Sequence, residues 1–88
     1  MKRDVTELRK TFMRVAEMVG AKTDKSTVAY YKLGDKSYIS VYENDDRNTV
    51  WLSLIQNRDI VACETIKVGA SDRVIQNRIN KILAADKA

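Results

Sequence analysis

From Lys36 to Tyr42, and again from Thr49 to Ile55, side chains of opposite character alternate one by one. A period of two fits a strand with one face buried and one exposed. In the first stretch Ile39 and Val41 point one way while Tyr38, Ser40 and Tyr42 point the other; in the second, Val50, Leu52 and Leu54 oppose Thr49, Trp51 and Ser53. The aliphatic set of each strand marks the core side. The face that carries the rings is then the side away from the core.

Two further stretches read as strands. Thr27 to Leu33 is rich in β-branched and aromatic residues and meets Lys36 to Glu43 across Gly34-Asp35, the composition of a tight hairpin. Glu43 to Asn48 and Gln56 to Asp59 are turns by the same reasoning. Ile60 to Val68 forms a fourth strand whose phase conflicts with itself, because Ile60, Ala62, Ile66 and Val68 share a parity with Glu64. A bulge near Glu64, or an edge position, resolves that conflict.

Helical spacing brackets the strands. Val5, Leu8, Phe12, Val15 and Val19, with Ala16 alongside, recur at three and four residues and predict a helix from Asp4 to Val19. Asp4 with Glu7 fits a capping box and Gly20 a left-handed stop. Residues 20–26 form a polar connector. After Gly69-Ala70, Ser71 is a good N-cap, Asp72 suits the positive helix start, and Ile75, Ile79, Ile82 and Leu83 predict a helix to about Ala85.

The expected fold is therefore α+β: helix, four-stranded antiparallel meander, helix, with both helices on one face of the sheet. At 88 residues the chain forms a single domain, 1–88. Leu8, Phe12, Ile39, Val41, Leu52, Leu54, Ile75 and Ile79 are its expected core. Hydrophobic residues at 44% exclude disorder, and no apolar run is long enough for a membrane span. The charged start carries no secretory pattern, so a cytoplasmic location is expected. A lone cysteine, Cys63, offers no internal disulfide to so small a core, which favours a homo-oligomer, most simply a homodimer.

Several chemistries are disfavoured, and no enzyme is expected. The chain has no histidine, which removes the usual proton shuttle and the commonest metal ligand. Its glycines, Gly20, Gly34 and Gly69, sit at element boundaries and build no phosphate loop. Asp59, Glu64 and Lys67 resemble a metal-dependent nuclease set in type, yet on a regular strand Glu64 and Lys67 face opposite ways. Glu43, Asp45 and Asp46 lack the spacing of a calcium loop and read as a solvated hairpin tip. Cys63, without a histidine to activate it, reads as a small buried or half-buried strand residue. No cofactor and no metal are expected.

What remains is a surface. Formal charge is +4, and the acids Asp35, Asp45, Asp46 and Asp59 fall in turns, while the uncovered sheet face combines Tyr30, Tyr38, Tyr42 and Trp51 with Lys32 and Lys36. Rings that stack on unpaired bases, beside lysines that neutralise a backbone, suit single-stranded nucleic acid. The same rings suit a protein interface equally well in kind, either a second copy or the target of an inhibitor or adaptor of the compact viral or mobile-element type. A further row, Arg73, Asn77 and Lys81 with Gln76 and Asn80 alongside, lies on one face of the last helix and either grips phosphates or is simply the solvated side of an amphipathic helix. Binding, and not catalysis, is the expected activity.

Overall fold

A computed structural model describes residues 5–23 and 27–87. Helix α1 spans Val5–Val19, strands β1 to β4 span Val28–Gly34, Ser37–Asn44, Thr49–Gln56 and Asp59–Lys67, and helix α2 spans Asp72–Asp86. The strands form one antiparallel sheet in the order β1-β2-β3-β4, so each pairs with its sequence neighbour and β1 and β4 are the edges. The α+β meander expected from the sequence is the fold observed. The Asp4 capping box lies outside the described residues.

Local chemistry fixes the element ends. Gly20, at φ +96°, follows α1 and donates to the Glu17 carbonyl at 3.1 Å while Ala21 donates to that of Ala16 at 2.9 Å, the paired bonds of a Schellman stop. Ser71 caps α2, its side chain accepting from the Val74 N–H at 3.3 Å. Asn57 and Arg58 are both left-handed, at φ 52° and 73°, which lets a two-residue turn match the twist of β3 and β4.

The register aligns the core. Ile39 lies opposite Leu54 and Val41 opposite Leu52, and these four, with Val50 and Ile66, are buried with Leu8, Phe12 and Val15 of α1 and Ile75, Ile79 and Ile82 of α2. Both helices meet the sheet through this parity. Arg9 of α1 donates to Glu43 at 2.9 Å; Asp86 of α2 accepts from Ser37 at 2.7 Å and from Gln56 at 2.9 Å; Arg78 stands 3.9 Å from Glu64. Arg14 pairs with Asp72 across the two helices.

Two expectations about β4 need correction. Of the two alternatives for its phase the edge position is the one observed, while the bulge falls at Val61, where Leu54 pairs with Ala62 but Ile55 with Ile60, and not near Glu64. Glu64 keeps the phase of Ala62 and Ile66 because an edge strand lets its carboxylate, 27% exposed, reach Arg78. Cys63 is exposed, since that same phase turns it away from the helices.

Candidate nucleic-acid interface

Opposite the core, the cross-strand pairs place Val28 beside Tyr42, Tyr30 beside Ser40, Lys32 beside Tyr38, Tyr38 beside Ile55, Ser40 beside Ser53, Tyr42 beside Trp51, Trp51 beside Thr65 and Ser53 beside Cys63. Tyr30, Lys32, Tyr38, Tyr42 and Trp51 therefore share one face, as their alternation predicts. Tyr30 is 57% exposed, Tyr42 43% and Trp51 37%, while Tyr38 is half-buried.

The rings come in two pairs. Tyr30 and Tyr38 meet edge to face with centroids 5.4 Å apart, diagonally across β1 and β2. Tyr42 and Trp51 meet edge to face at 6.5 Å, directly across β2 and β3. Such T-shaped contacts hold each ring against its partner. The Trp51 indole N–H also donates to Thr49 Oγ1 at 3.0 Å, which fixes its orientation along β3. Between the pairs lies a trough of small residues, Ser40, Ser53 and Cys63, the Ser53 hydroxyl lying 3.5 Å from the thiol.

Charge is sorted across the sheet. By register the strand carboxylates Glu43, Asp59 and Glu64 fall on the helix side, whereas the strand lysines Lys32 and Lys67 fall on the aromatic side. Glu43 is buried and salt-bridged to Arg9, which takes it out of the acidic cluster that its loop neighbours Asp45 and Asp46 suggest. The same sorting separates Glu64 from Lys67 and disperses the nuclease-like set. Among the described residues no group of three His, Cys, Asp or Glu side chains is placed to hold a metal ion.

Each aromatic pair has its own cations. Lys36 lies in the β1–β2 turn, not on a strand, and with Asp35, Tyr38, Asn57 and Arg58 it lines a cavity of about 470 Å³. The Asn57 N–H donates to the Lys36 carbonyl at 2.9 Å, tying this turn to the β3–β4 turn and bringing Arg58 to the same end of the sheet. A neighbouring hollow of about 380 Å³ is lined by Tyr30, Lys32, Gly34, Asp35 and Tyr38. At the other end Arg47, Thr49, Trp51 and Thr65 line a hollow of about 300 Å³, with Lys67 registered opposite Thr49.

Arg73, Asn77 and Lys81 do not join this site. All three are exposed on α2, whose sheet contacts run through Glu64, Ser37 and Gln56 on the opposite side. Gln76 donates to Asn80 at 3.0 Å, an ordinary one-turn surface pair. Conversely, Arg58 and Arg47, which the sequence did not single out, and Lys67, which it considered only beside Asp59 and Glu64, belong to the aromatic face. Lys67 was legible from its alternation with Glu64 and Ile66, and Arg58 becomes so once its turn is known to lie beside Lys36.

Comparison with protein-family models, with curated proteins and with solved structures gives no match. Among the described residues no helix is long and apolar enough to cross a membrane.

Proposed function

We propose that the protein binds single-stranded nucleic acid on the aromatic face of its sheet, without catalysing a reaction. The observation that carries this reading is the sorting of charge: the strand carboxylates lie on the helix side, and Lys32 and Lys67 lie beside Tyr30, Tyr38, Tyr42 and Trp51. A polyanion with unpaired bases needs both halves of that arrangement, rings for the bases and cations for the phosphates. Duplexes, whose bases are already stacked, gain nothing from the rings. An exposed free thiol at Cys63 suits a reducing compartment such as the cytoplasm.

A labelled oligothymidine titrated at rising salt tests this. With up to five cations engaged (Lys32, Lys36, Arg47, Arg58 and Lys67), the slope of log affinity against log salt is expected between about −2 and −3.5. Trp51→Ala weakens binding roughly 5- to 100-fold, the worth of one stacked base, while circular dichroism stays that of the parent. Absence of binding at about 50 mM salt refutes the reading.

A second reading rests on Ile60 and Val61, which are 67% and 51% exposed at the bulged end of β4. Apolar residues there extend the aromatic surface and suit a protein partner or a second copy of the chain. Under that reading Trp51 emission ignores oligonucleotides and shifts with protein concentration.

A further inference from the structure

Resting on the proposed nucleic-acid reading, we infer that the aromatic face holds two bases that are not neighbours in the strand, with one nucleotide between them left unstacked. The two ring pairs are anchored on the same strand, Tyr38 in one and Tyr42 in the other. Four residues of β-strand span about 13 Å. An extended single strand advances roughly twice the duplex rise of about 3.4 Å per nucleotide, so the two stations are two nucleotide steps apart.

The intervening surface agrees. Ser40 and Ser53, directly paired and each nearly buried, offer a floor without a ring on which a base would stack. Cations stand at the ends and not in the middle: Lys32, Lys36 and Arg58 around the Tyr30–Tyr38 station, Arg47 and Lys67 around the Tyr42–Trp51 station. The ring of Trp51, pinned by Thr49, and the mutual edge-to-face contacts keep both stations oriented before any ligand arrives. Preorganised stations at fixed separation behave as two linked binding modules, whose joint engagement appears only when the ligand can span them.

Oligothymidines of two, three, four and six nucleotides, titrated against the full chain by quenching of Trp51 emission, test the spacing. Affinity is expected to rise at least ten-fold from two nucleotides to three and less than three-fold from three to four. An abasic central position in the trinucleotide leaves affinity within three-fold, whereas an abasic terminal position lowers it ten-fold or more. Tyr30→Ala, at the most exposed of the four rings, removes the step between two and three nucleotides while Trp51 quenching by the dinucleotide persists. Affinity that climbs evenly with length, or a central abasic site as costly as a terminal one, overturns the two-station arrangement and leaves the proposed function standing. Failure of every length to bind overturns both.

Discussion

Arg9 reaches from α1 across to β2 and donates to the carboxylate of Glu43 at 2.9 Å, which leaves that carboxylate 7% exposed. The same guanidinium stands 5.0 Å from the centroid of the Phe12 ring, so one cation ties a buried acid to the aromatic centre of the core. Removing it strands a charge. Arg9→Met is expected to cost about 2–4 kcal/mol, because a buried ion loses its partner, and Arg9→Met with Glu43→Leu to recover most of the loss. Urea denaturation of the parent, the single variant and the pair measures this; equal stability of Arg9→Met and the parent contradicts the role.

Adjacent residues of β3 should behave in opposite ways. Leu52 is fully buried and Trp51 faces outward. Leu52→Ala is expected to lower stability by about 2–5 kcal/mol, the usual range for a buried leucine, although the larger truncation Trp51→Ala costs less than about 1 kcal/mol. Thermal unfolding followed by circular dichroism decides between them. A reversal of that order would mean that the strand is turned over.

At the β3–β4 turn, Arg58 holds φ 73° and Asn57 φ 52°. A left-handed backbone strains a residue with a β-carbon by about 1–2 kcal/mol, and asparagine followed by glycine is the pair such turns favour. Arg58→Gly is therefore expected to raise stability by about 0.5–1 kcal/mol and the melting midpoint by several degrees. It should at the same time weaken oligonucleotide binding, since it removes a cation from the cavity beside Tyr38. Gain of stability with unchanged affinity would remove Arg58 from the site.

Thr11, itself buried, makes a part-buried contact that no apolar residue replaces. Its hydroxyl donates to the Glu7 carbonyl at 2.9 Å and accepts from the Gly69 N–H at 3.0 Å, joining α1 to the approach of α2. Thr11→Val keeps the shape but takes the acceptor from the Gly69 N–H, which is exposed enough to turn to water, an expected loss of about 0.5–1.5 kcal/mol. Thr11→Ser keeps the hydroxyl and should lose less. Amide exchange at Gly69, faster in Thr11→Val than in Thr11→Ser, identifies the bond responsible.

Much of this architecture was legible because side-chain period and burial agree. Leu8, Phe12, Ile39, Val41, Leu52, Leu54, Ile75 and Ile79 were expected inside and are buried. The alternation along β2 and β3 put Tyr38, Tyr42 and Trp51 on one face for the same reason. What escaped were features set by tertiary company. Glu64 looked like a misfit, yet it sits on an edge within reach of Arg78, and the extra residue is Val61. Arg58 gained its place in the site from a turn conformation, which a period of two does not record, whereas Lys67 follows from the regular alternation of residues 62–67. Arg73, Asn77 and Lys81 had a helical spacing that suits binding, but spacing along a helix says nothing about which layer the helix occupies.

The supernumerary Val61 acts on molecules other than its own. An edge strand offers unpaired backbone groups as a template for another chain, and an inserted residue interrupts their regular repeat and twists the border away from a flat neighbour. With β4 broken between Ile60 and Ala62, the outermost ladder gives an incoming strand no long straight run to copy. That margin of the sheet thereby resists extension even though its most exposed aliphatic residues lie there.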